Sequence, residues 1–117
     1  MNGYVPSLQN SRERIVRVLK EFSYNLGTEE SEGGFHRMLF TKKMPVGMRI
    51  IGLHNFGGVV DISYARLYGN HRDFADVPYP LSSEKDLENE DGFLIQIGKS
   101  VAVIEDDFFP TTEAHSE

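Results

Sequence analysis

The apolar positions of this chain change their period partway along it. Ile15, Val18, Leu19, Phe22 and Leu26 recur at the three-and-four spacing of one helical stripe. Asn10 stands just before the stripe, and Glu13 lies three residues after Asn10, the pattern of a capping box. Gly27 is a natural stop. The spacing predicts an amphipathic helix over residues 11–26, with Arg12, Arg14, Arg17 and Lys20 mostly off the apolar stripe. Residues 27–34 read as a polar loop.

From Phe35 the period becomes two, which predicts strands. The first runs from Phe35 to Lys42 and the second from Met48 to His54, joined by a turn over Met44-Pro45-Val46-Gly47. Asn55-Phe56-Gly57-Gly58 reads as a hairpin connection to a third strand, Val59 to Tyr68, whose Tyr64, Arg66 and Tyr68 are expected on the exposed face. The rhythm then breaks over residues 69–91, where Pro78 and Pro80 favour extended chain and Ser83–Asn89 has room for one helical turn. Phe93–Ile97 and Val101–Ile104 read as a second hairpin around Gly98-Lys99-Ser100, ended by Pro110. A helix followed by strands predicts an α+β fold: one N-terminal amphipathic helix packed on a five-stranded antiparallel sheet, a two-layer sandwich. Residues 1–110 would form a single domain and residues 111–117 a flexible tail.

Composition narrows the chemistry. With no cysteine among 117 residues, a disulfide scaffold, a thiol nucleophile and a cysteine-ligated metal are excluded. The same absence fits a reducing compartment, so a cytoplasmic location is expected. No signal peptide is expected from Met1–Gln9, and no apolar run is long enough for a membrane span.

The formal charge of −6 is unevenly placed. Residues 1–50 carry a net +3, residues 51–117 a net −9, and residues 84–117 alone a net −8. Such a field repels phosphate backbones and attracts basic surfaces, which argues against direct nucleic-acid binding. In the acidic third, Glu84, Asp86, Glu88, Glu90, Asp91, Glu105, Asp106 and Asp107 lie near the aromatic residues Tyr79, Phe108 and Phe109. Apolar anchors ringed by charge are an interface pattern. The reading is a non-enzymatic protein-binding module, an acidic inhibitor or neutraliser that covers a basic surface on a larger partner. Immunity and anti-defence proteins are analogous in size and charge.

The competing reading is a small enzyme or ligand-binding domain. Its polar groups would be His36, His54, Asp61, His71 and Asp73, gathered in a pocket between the sheet and the loop over residues 69–91. Those side chains must converge for the reading to stand. A homo-oligomer through the exposed sheet face or an edge strand is a third option. No metal-ligand spacing, phosphate loop or serine triad is present in the sequence, so neither a metal nor a cofactor is expected.

Overall fold

The computed structural model describes residues 5–45, 47–68, 71–76 and 89–109. The helical stripe folds as α1, Arg12–Glu21, with Ile15 and Leu19 fully buried and Val16, Val18 and Phe22 packed partly against the core. Its N-cap is Ser11 rather than Asn10, and no side chain caps it. The Ser11 hydroxyl instead donates to Glu90 Oε2 at 2.6 Å, so the predicted capping box gives way to a tertiary contact. The helix stops before Gly27 because Ser23 adopts a positive φ of 70°. The Ser23 amide donates to the Lys20 carbonyl and the Tyr24 amide to the Leu19 carbonyl, the two bonds of a Schellman motif with serine in the usual glycine place.

Five strands follow, and each pairs antiparallel with the next in sequence order. They are β1 (Asn25–Glu32), β2 (Phe35–Lys43), β3 (Met48–Phe56), β4 (Val59–Tyr68) and β5 (His71–Asp76). The middle three occupy the segments where alternation predicted strands. β1 lies mostly in the predicted polar loop. Gly33 and Gly34 both take positive φ, 56° and 84°, and set Glu32 opposite Phe35 in a two-residue hairpin of type I′ form. β1 is an edge strand, and Glu29, Glu30 and Glu32 discourage further pairing there. β5 begins just after Gly69-Asn70, inside the region read as a long loop. The predicted turn over residues 83–89 lies mostly outside the described residues, and the tail over residues 111–117 wholly so.

The predicted strands Phe93–Ile97 and Val101–Ile104 are corrected to one helix, α2, Glu90–Val103. Asn89 caps it, its side chain accepting from the Gly92 amide at 2.8 Å, and Glu90 and Asp91 sit in the first turn, where the helix dipole favours acids. Its buried residues are Phe93, Leu94, Ile97, Ser100 and Val101, a helical stripe. A π-helical turn, Ile104–Phe108, continues it, and the Phe109 amide donates to the Ile104 carbonyl. That five-residue step returns Phe109 to the face of Ile104, and both are fully buried.

The result is α+β, with an antiparallel sheet covered on one face by two helices. Met38, Phe40, Ile51, Leu53, Val60 and Ile62 from the sheet pack against residues of α1, α2 and the π-helical turn. Tyr64 and Arg66 belong to this covered face, contrary to the sequence reading. Tyr64 packs against the core, and Arg66 is 5% exposed. The register explains why: β4 alternates strictly, and Tyr64 and Arg66 share their parity with the buried Val60 and Ile62. Among the described residues no helix is long and apolar enough to cross a membrane.

Two carboxylates tie this arrangement to pH. Burial acts to raise the Glu29 carboxyl, but hydrogen bonds from Arg12 and His36 outweigh it and hold the group below its ordinary range. The Ser11 hydroxyl, followed by Arg14, lowers Glu90 in the same direction. A folded pKa below the unfolded one adds stability above the unfolded value of about 4.3, and that stability is lost as pH falls through the folded value. The melting temperature is therefore expected to be insensitive to these groups at neutral pH and to drop below about pH 4. Glu29→Gln and Glu90→Gln should each make the acid limb shallower. An acid limb unchanged in both variants would contradict the assignment.

Candidate functional site

Among the described residues, no helix lies on the second face of the sheet. In β2 that face presents Phe35, Arg37, Leu39 and Thr41, in β3 Ile50, Gly52, His54 and Phe56, and in β4 Val59, Asp61, Ser63 and Ala65. One cross-strand row there is entirely apolar: Phe35 lies opposite Phe56, and Phe56 opposite Val59. Phe56 is 69% exposed and Val59 49%, the largest apolar exposure on the sheet among the described residues. Single exposed apolar residues are ordinary, but adjacent ones on a rigid turn are less so.

The turn beneath them is well held. Gly57 takes a φ of 61°, the positive value a two-residue hairpin needs at its first central position. Asn55 points to the covered face, where its Oδ1 accepts from the Leu8 amide at 3.0 Å. Its Nδ2 donates to the carbonyls of Gly57 and Val59, each at 3.0 Å. One buried amide thus fixes both sides of the turn and anchors the N-terminal segment to it. Val5, 66% exposed, passes close to Gly58 and extends the apolar surface. The rim is acidic: Glu32 is the cross-strand neighbour of Phe35, and Asp61 lies two residues from Val59 on the same face, both exposed.

Of the five residues of the predicted pocket, the three whose side chains are described divide between the two faces of the sheet. His36 is on the covered face, 7% exposed, with Nε2 2.8 Å from Glu29 Oε2. His54 and Asp61 are cross-strand neighbours on the opposite face. His36 and His54 cannot meet, because His36 pairs with Asn55 and Arg37 with His54, and adjacent positions alternate faces. His71 and Asp73 are opposite Tyr68 and Arg66 in the backbone register, and their side chains lie outside the described structure. His54 Nε2 is 2.8 Å from Ser63 Oγ across the absent side chain of Gly52. That pair sits on interior strands whose amides serve the sheet ladders on both sides, so the backbone has few donors to offer a developing oxyanion. Among the described residues no three His, Asp or Glu side chains group as metal ligands.

The predicted acidic surface is also reorganised. Tyr79, Glu84, Asp86 and Glu88 lie outside the described residues, as does the side chain of Phe108. Phe109 is 0% exposed and cannot serve as a surface anchor. Its ring meets Tyr64 edge-on with centroids 5.3 Å apart, and Arg49 lies 4.8 Å from its centroid. Glu105 turns inward between Lys42 and Arg49, and its side chain is 12% exposed. Glu90 and Asp91 pair with Arg14. Asp106 and Asp107 remain at the surface. Pairing within the fold therefore engages three of the predicted acids, Glu90, Asp91 and Glu105. The residues that sequence reasoning passed over are Phe56 and Val59; a large apolar residue immediately before a Gly-Gly turn was their signal. Comparison of the chain with protein-family models, with curated proteins and with solved structures finds no match.

Proposed function

We propose that this chain is a non-catalytic protein-binding module. It uses the Phe56–Val59 hairpin as its anchor and acts by occupying an apolar cleft with basic surroundings on a larger protein. The observation that carries the reading is the pair of exposed apolar side chains, Phe56 and Val59, on a turn held by two hydrogen bonds from a buried asparagine that also accepts the Leu8 amide. A turn already held in shape loses little conformational entropy on docking, and so more of its contact energy appears as affinity. Glu32 and Asp61 beside it, with the overall charge of −6, favour a basic rim on the partner. His36 stands on the opposite face from His54 and Asp61, which counts against a pocket that gathers all three.

The test is affinity capture with quantitative mass spectrometry, using the wild-type chain and the Phe56→Glu/Val59→Glu double variant as baits in lysate of the source organism. The expected result is a stoichiometric partner retained by the wild type and lost by the double variant, whose circular dichroism and melting temperature stay unchanged. Binding to the purified partner should weaken at least about 30-fold, the scale of losing a central anchor. A partner held equally by the double variant but released by Asp106→Lys/Asp107→Lys would place the contact at the π-helical turn and overturn the reading.

A further inference from the structure

The helical layer presents a second apolar surface, with charge of the opposite sign. Arg14, Arg17 and Val18 from α1 and Asp91, Leu94 and Ile95 from α2 line an open groove of about 530 Å³. The groove has a defined shape because the helices are fastened along its length. Ser11 and Arg14 bind Glu90 at one end, and the helices come close at Gly98, where an added Cβ would lie 3.7 Å from Val18 Cγ1. Ile95 is 58% exposed at the edge of the groove, the only large apolar residue of α2 left in solvent among the described residues.

The charges around it are unbalanced. Arg14 is met by Glu90 and Asp91. Arg17 is exposed and makes no ion pair among the described residues, and Lys99, one turn beyond Ile95, is exposed as well. An acidic chain therefore carries a groove with an apolar floor and a basic edge. Those are the properties that the Phe56–Val59 hairpin, with Glu32 and Asp61 at its rim, requires of a partner.

We infer that the α1–α2 groove of one molecule receives the Phe56–Val59 hairpin of a second copy of this chain. The inference rests on the reading of that hairpin as a binding surface and adds to the larger partner a second one, another copy of this chain. Groove and hairpin lie on opposite sides of the sheet, so they cannot meet within one molecule. The contact between copies is heterologous, and it propagates head to tail unless the rotation closes a ring. Two apolar side chains entering an open groove make a small interface, of the class that forms weak and reversible assemblies. A volume of about 530 Å³ lies within the usual range of ligand-sized sites, about 300–1,000 Å³.

Head-to-tail contact predicts a complementation that no symmetric dimer shows. Phe56→Glu removes the hairpin and keeps the groove, whereas Ile95→Glu removes the groove and keeps the hairpin. Both positions are exposed, so both variants should keep the wild-type melting temperature. Sedimentation velocity from micromolar to millimolar concentration should show the wild type growing beyond a dimer, and each variant alone should stay monomeric. An equimolar mixture of the two should form dimers and stop there, because each mixed pair has one intact contact. A wild type that stays monomeric at millimolar concentration overturns the inference, as does a mixture that stays monomeric. Dimers formed by Ile95→Glu alone overturn it in favour of a symmetric contact through the sheet face. The binding-module reading survives these failures if the hairpin double variant still loses a foreign partner that Ile95→Glu retains. It falls separately if that partner ignores the hairpin.

Discussion

Phe109→Ala is expected to destabilise the fold by about 4 kcal/mol, whereas Phe56→Ala should change stability by less than about 0.5 kcal/mol. The two residues are the same amino acid in opposite environments. Phe109 is fully buried, with the Tyr64 ring edge-on at 5.3 Å and the Arg49 guanidinium over its face at 4.8 Å. Truncation would remove its transfer free energy and leave a cavity under the π-helical turn, and close-packed surroundings fill such a cavity only in part. A domain of this size is stable by about 5–15 kcal/mol, so the loss would be a large share of the total. Phe56 already stands mostly in water and has little burial to lose. Urea denaturation of both variants checks the contrast through the midpoint, provided the slope is unchanged. Phe109→Leu should recover more than half of the loss, since it refills most of the volume. Similar midpoints for Phe109→Ala and Phe56→Ala would contradict the assignment of one to the core and the other to the surface.

That contrast also shows what pattern alone could tell about this chain. β2, β3 and β4 are legible because the covered face takes most of their large apolar residues, which leaves a period of two visible along much of each strand. β1 is hidden by its place at the edge: a strand of Thr, Glu and Ser has few apolar residues to alternate, and its clearest sign is the Gly33-Gly34 turn that follows. α2 was misread because Phe93–Ile97 and Val101–Ile104 are short apolar runs separated by Gly98, which satisfy a strand template as well as a helical one. Asn89 with two acids after it was the helical signal. The misreading carries into the site. On a strand end, Glu105 and Phe109 would look outward together, but on a helix with a π-helical step both turn to the sheet. The local sequence around Phe56 gave no hint that Asn55 would point inward, since its partner amide, Leu8, is 47 residues away.

Glu105→Ala should be the second large effect, about 3 kcal/mol, and larger than that of Lys42→Ala. Lys42, Arg49 and Arg66 occupy consecutive cross-strand positions on the covered face, a row of three cations on neighbouring strands. Glu105 reaches down from the π-helical turn and accepts from both Lys42 and Arg49. The side chains of Lys42, Arg49 and Glu105 are 20%, 13% and 12% exposed, so water screens these charges only weakly. Removing the carboxylate takes an acceptor from two poorly solvated cations that lie side by side, and their ring contacts with Tyr24 and Phe109 offset only part of the desolvation cost. Removing Lys42 leaves Glu105 paired with Arg49, and so the cost is smaller. Lys42 also lies over the Tyr24 ring, 4.9 Å from its centroid, which adds a modest cation–π contribution to its own loss. Glu105→Gln keeps the size and the acceptor oxygen but loses the charge, and it should fall between wild type and Glu105→Ala. If loss of the shared acceptor is the cause, Lys42→Met should partly rescue Glu105→Ala, because one of the two cations that Glu105 served is gone. Equilibrium unfolding of the two singles and the double closes the cycle. Additive losses would mean that Glu105 acts through packing alone, and the row of cations would then be held by contacts other than this carboxylate.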